Sequence, residues 1–159
     1  MTQIPNEPTA GRPGNSSRVP PHAPEAEEAV LGAMLLSHEA IVNAQTKVGA
    51  EDFYRPLFGQ IFAAMVDLDQ RGEPVDPVTL LEQMRARGVD VEPTLIGDLT
   101  ANAVNIGNAE YYAEIVRDKA KQRALIHTAS TIVDEAYATT DNVEGLFDRA
   151  EQSIMNIAD

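Results

Sequence analysis

From Glu25 onward, apolar residues recur at spacings of three and four, in runs punctuated by Pro and Gly where helices start and stop. Residues 25–36 open with acidic side chains in the first turn and place Val30, Leu31, Met34 and Leu35 on one broad face, which predicts an amphipathic helix. A shorter helix is predicted over about 39–47. Arg55-Pro56 then opens a third, carrying Phe58, Ile61, Phe62, Met65 and Leu68. Its proline stands where no N–H is needed, and Gly72 supplies a left-handed stop. Asp76-Pro77 repeats the start signal as N-cap plus proline, Leu80, Leu81 and Met84 follow, and Gly88 closes that helix. Glu92-Pro93 begins another short one through Leu95, Ile96 and Leu99. No run alternates with the period of two that a half-buried strand requires, so the fold class is all-α.

The last third has a different texture. After Asn105-Ile106-Gly107, Asn108 is a potential cap for a run to Ala138 without Gly or Pro, which predicts one long helix. Thr139-Thr140-Asp141-Asn142 is rich in turn and capping residues, and Val143, Leu146, Phe147, Ala150, Ile154 and Ile157 follow at spacings of three and four. Residues 108–158 therefore read as an antiparallel αα-hairpin. The long helix spans about 46 Å at about 1.5 Å per residue, and the final helix covers about half of that. Two helices of unequal length cannot enclose a core as four can. A self-association surface is expected from Tyr112, Ile115, Val116, Ile126, Ile132, Val133 and Tyr137 on the long helix and from the six apolar residues of the final one, paired with a second copy.

Residues 1–24 contain six of the ten prolines and only Ile4 and Val19 as branched apolar residues, so a disordered tail is expected over 1–20. The folded part divides into 21–105 and 106–159. The chain of 159 residues carries 12 Lys+Arg against 25 Asp+Glu, a formal charge of −13. That balance repels phosphate backbones and predicts at most weak, salt-sensitive DNA binding. The absence of cysteine removes disulfides, thiolate metal sites and thiol nucleophiles, and fits a reducing, cytoplasmic setting. No stretch approaches the roughly 18 apolar residues of a membrane span, and no membrane partner is expected.

Catalytic constellations are also missing from the pattern. Lys47, Lys119 and Lys121 are preceded by Thr, Asp and Ala rather than by the glycine of a phosphate-binding loop, so no nucleotide hydrolysis and no cofactor are expected in this chain. His22, His38 and His127 lack metal-ligand spacing, and Ser37, Ser130 and Ser153 lie outside a nucleophile elbow. With so many carboxylates, adjacent acidic pairs arise by chance and read as solvated surface. One cluster leaves two readings open: Arg117, Lys119, Lys121 and Arg123 form either a partner contact or the exposed circumference of a long helix.

Four groups of strings now occur in a diagnostic order. They are Pro20-Pro21-His22 with Glu25-Ala26-Glu27-Glu28-Ala29-Val30-Leu31-Gly32; Asp52-Phe53-Tyr54-Arg55-Pro56 with Ile61-Phe62; Gly72-Glu73-Pro74-Val75-Asp76 with Val78-Thr79-Leu80; and Asn108-Ala109-Glu110-Tyr111-Tyr112-Ala113 with Ile115-Val116 and Arg123. Over residues 20–138 the chain resembles the N-terminal domain of bacterial replicative DNA helicases of the DnaB type. The departure is at 89–94, where Val-Asp-Val-Glu-Pro-Thr replaces a longer Gly-Gly connector and predicts a shifted fifth helix. The resemblance implies a compact head of about five short helices plus a projecting hairpin. It implies a non-catalytic collar of hairpin-paired dimers, three dimers to a ring, on which primase and a helicase loader dock. ATP, magnesium and DNA contact would belong to a following RecA-like motor. A free-standing adaptor or loader-like protein without a motor is the alternative.

Overall fold

The computed structural model describes residues 18–103 and 106–159, and among them every regular element is helical. Seven α-helices follow in order: α1 Pro24–Leu36, α2 His38–Gln45, α3 Pro56–Gln70, α4 Pro77–Ala86, α5 Pro93–Ala101, α6 Ala109–Ala138 and α7 Val143–Ala158. Short 3₁₀ turns lie at Ala50–Asp52 and Ile106–Asn108. The expected tail falls mostly on residues 1–17, which lie outside the described residues, as does Asn105; Arg18, Val19 and Pro20 are exposed.

The chain forms two compact units, one of His22–Ala120 and one of Lys121–Asp159 together with residues 18–21. In the first, the starts and stops follow from local chemistry. Proline occupies the first turn of α1, α3, α4 and α5, where its missing N–H costs nothing. Asp76 caps α4 by accepting the Thr79 N–H at 2.9 Å, while the Thr79 hydroxyl accepts the Asp76 N–H at 3.0 Å. Helices α3 and α4 end alike: Gly72 and Gly88 take φ of 73° and 77°, and the N–H of the next residue donates to Leu68 and Met84 respectively, both at 3.0 Å.

The core of this unit is drawn from all of its helices, including Leu31 and Met34, Ile41, Phe58 and Met65, Leu80 and Met84, Ile96 and Leu99, and Val116. Helix α1 runs through it. The sequence predicted one apolar face, but residues 30–35 are all buried, which takes in the full circumference of the helix. Small residues make this feasible: a Cβ on Gly32 would overlap the carbonyl oxygen of Leu99, so α5 crosses α1 at near backbone contact. The fifth helix, expected to shift, is therefore seated by a glycine on the first.

The head also extends past residue 105, its expected end. Ala113 and Val116 are buried in the main core, and Ala109 is buried with Ala33 and Ala40. Lys47 of α2 reaches Glu114 at 3.1 Å and Glu110 at 3.6 Å, ion pairs that fix the first turns of α6 at the surface of the same unit. Among the described residues, no helix is long and apolar enough to cross a membrane.

Candidate interaction surface of α6 and α7

The second unit has a different physical character, since none of residues 121–159 is buried. Thr139 and Asn142 shape its turn. The Thr139 hydroxyl donates to the Glu135 carbonyl at 2.7 Å, and Asn142 adopts φ 54° and ψ 55°, a left-handed conformation that asparagine tolerates better than most residues. From there its side-chain oxygen accepts the Gly145 N–H at 3.2 Å and caps α7. At about 100° per residue, Val143, Leu146, Phe147, Ala150, Ile154 and Ile157 fall within an arc of about 100° on α7. Val143, Phe147 and Ile154 are exposed, Phe147 to 63%, while Leu146, Ala150 and Ile157 are half-buried.

On α6 the expected surface separates into two parts. Ile126, Val133 and Tyr137 are exposed, Tyr137 to 89%, and Ile132 is half-buried. Val116, in contrast, is only 1% exposed in the core of the head, with Tyr112 and Ile115 packed against that core. Val116 therefore leaves the expected pairing surface, while Tyr112 and Ile115 are half-buried against the head. The long helix changes role along its length: its first turns complete a core and the remainder carries an apolar surface.

The basic cluster is distributed around the helix. Arg123 Nη1 donates to the Pro21 carbonyl at 2.8 Å, and Arg117 lies 3.8 Å from Asp118. Lys119 and Lys121 make no ion pair among the described residues. Of the histidines, His22 stacks on Tyr54 with ring centroids 4.2 Å apart, His38 Nδ1 lies 2.7 Å from Asp69 Oδ1, and His127 is exposed. Among the described residues, no three of His, Asp or Glu gather closely enough to hold a metal ion. Sequence reasoning missed one carboxylate. Glu27 looked like one of the acids of the first turn of α1, but it is 98% buried (2% exposed), and its Oε2 accepts the Tyr54 N–H at 3.0 Å. The hint in the sequence was its place within the Glu25 to Gly32 string that carries the family resemblance.

The family model of the DnaB-like helicase N terminal domain matches residues 19–118. The replicative DNA helicase DnaC of Bacillus subtilis (strain 168) is 42% identical over 146 residues, covering 90% of this chain and 32% of the relative. The chain thus spans about a third of the length of the curated relatives it matches. The crystal structure of the N-terminal domain of DnaB helicase from Mycobacterium tuberculosis superposes with a TM-score of 0.81 at 35% identity, covering 87% of this chain and 99% of that one. The N-terminal domain of DnaB helicase from Helicobacter pylori, described with its interactions with primase, shares the fold at a TM-score of 0.64 and 23% identity over 71% of this chain and 90% of that one. The family model covers more than half of the chain, from the start of the head to the first turns of α6, and the chain belongs to the family of DnaB-like helicase N-terminal domains.

Proposed function

We propose that this domain is the collar of a replicative DNA helicase, a scaffold that pairs with a second copy through the unit at Lys121–Asp159. Three such pairs stand over a motor ring, and the collar offers primase and a helicase loader a place to dock. ATP and magnesium serve the motor of the full-length protein in the cytoplasm, where DNA is engaged; the collar contributes assembly. The observation that supports pairing is the run of exposed apolar residues on a unit in which none of the described residues is buried. Docking of primase is supported by the Helicobacter pylori relative. A free-standing adaptor is not favoured by the family match.

Covering Ile126, Val133, Tyr137, Phe147 and Ile154, each about half exposed or more, is worth about 1 kcal/mol per residue on each of two copies. That gain is set against an association cost of about 4–15 kcal/mol. Sedimentation equilibrium tests the reading. The wild-type chain is expected to be dimeric at micromolar concentration, and Phe147→Asp and Ile154→Asp monomeric, because each charge would be desolvated without a partner. A wild-type chain that stays monomeric at high micromolar concentration refutes pairing, and variants that remain fully dimeric place the interface elsewhere.

A further inference from the structure

Among the described residues the chain passes between its two units twice. One crossing lies inside α6, between Ala120 and Lys121, and the other is the peptide bond from Pro21 to His22. Each side of that bond is held by a different unit. Pro21 is held by the unit of Lys121–Asp159, since Arg123 Nη1 donates to its carbonyl at 2.8 Å. His22 is held by the head, where its ring stacks 4.2 Å from that of Tyr54 with the planes 22° apart. Tyr54 is itself tied to the core, because its N–H donates at 3.0 Å to Oε2 of Glu27, a residue only 2% exposed. The Ala23 carbonyl, next in the chain, accepts the Glu27 N–H at 3.0 Å and opens α1. Interactions thus run from Arg123 of α6, through Pro21, His22 and Tyr54, to a buried side chain of α1.

We infer that Pro21-His22 is a strap: a second tether, locked at both ends, that limits how freely residues 121–159 move on the head. Val116 is the last buried residue of α6, so the helix leaves the core before the crossing at Lys121. A single helix crossing there can bend and twist, and a second attachment just beyond it, at Arg123, resists both. The chemistry suits a lasting hold. Proline at 20 and at 21 fixes φ near −65°, so the Pro21 carbonyl is presented at little ordering cost. The bond that Arg123 makes to it is charge-assisted, and both residues are half-buried, which sets it above the exposed ion pairs of the head. Of the four basic residues clustered on α6, Arg123 therefore has its use within the chain. Restricted freedom of this kind is preorganisation, since a hairpin with fewer orientations to lose takes up any partner at lower entropic cost.

Hydrogen exchange of the full chain, read by mass spectrometry over residues 119–127, tests the strap. Arg123→Ala cuts one end and His22→Ala the other. Each is expected to speed exchange there about tenfold, the equivalent of one hydrogen bond to a charged group. Because the two ends act in series, the double variant should exchange no faster than the faster single one. Deleting residues 1–21 should match it, whereas deleting 1–17, or Lys121→Ala in the same segment, should leave exchange as in the wild type. Exchange in α3 should stay unchanged throughout. The inference is overturned if either single variant leaves exchange unchanged, if the two effects add, or if the 1–17 deletion or Lys121→Ala reproduces them. Equal loosening of α3 also overturns it, since the head rather than the strap would then have failed. Repeating the series on Phe147→Asp separates the strap from pairing at α7: an effect lost on that background belongs to pairing and refutes the strap.

Discussion

Replacing Gly32 by alanine sets two effects of known size against each other. In the middle of a helix, alanine is favoured over glycine by about 1 kcal/mol, so helix propensity alone makes Gly32→Ala stabilising. Packing opposes it, because the new methyl group would overlap the carbonyl oxygen of Leu99 and stand 3.0 Å from the Cβ of Ala103. Relief by small shifts costs about 1–3 kcal/mol. Relief by moving α5 away would expose Ile96 and Leu99, now 0% and 2% exposed, at up to about 1.5–3 kcal/mol each. The overlap is with a backbone oxygen rather than the end of a flexible side chain, so relief falls in the upper part of the first range, and net of the propensity gain a loss of about 1–2 kcal/mol is expected, more if α5 moves. Gly97 on α5 is the control: nothing lies within 4 Å of a Cβ built there, so Gly97→Ala keeps the gain without the overlap. Urea unfolding followed by circular dichroism, at one fixed protein concentration, should place Gly32→Ala below the wild type and Gly97→Ala level with it or above. Equal midpoints for the two variants, or a Gly32→Ala protein as stable as the wild type, would refute the backbone contact between α1 and α5.

Asp76→Ala removes the side-chain half of the reciprocal cap, the acceptor of the Thr79 N–H, and leaves the N–H of residue 76 to donate to the Thr79 hydroxyl; it should lower stability by about 1 kcal/mol in the same urea assay, with Asp76→Asn close to the wild type, and equal losses would mean that the cap is not what starts α4. Glu27→Ala withdraws the acceptor of the Tyr54 N–H and should lower the thermal midpoint by an amount corresponding to about 1–3 kcal/mol. Glu27→Gln, which keeps an acceptor oxygen, should lose less, and the reverse order would contradict the role given to that bond.

All seven helices were legible because each is marked within its own few residues. The prolines at 56, 77 and 93, the acid at 76 and the glycines at 72 and 88 act on their own turns, and a reader of the chain meets the same signals as the backbone does. What eluded the sequence depends on residues that are distant along it. Asp69 is 31 positions from His38, and Pro21 is 102 from Arg123, and neither pairing has a local spacing to betray it. Glu27 illustrates the same point, since an acid in the first turn of a helix is ordinarily a solvated partner of the helix dipole. Only the loop at Tyr54, 27 residues on, makes it a buried acceptor. Val116 was misjudged because periodicity reports that a face is apolar and is silent about what covers it.

That silence explains why the long helix reads as one stripe while serving two kinds of packing. Tyr112, Ile115 and Val116 lie on the same helix face as Ile126, Val133 and Tyr137, and the stripe is only thinned between them by Arg117, Lys119, Lys121 and Arg123. The first three meet a layer supplied by the same chain, because α1 to α5 together bring enough apolar surface to close a core around them. Among the described residues the remainder have α7, whose apolar arc of about 100° can shelter part of one helix face. One such face is too narrow to close a core around them, which is why a domain with ample core in one unit still presents Tyr137 and Phe147 to solvent among the described residues of the other.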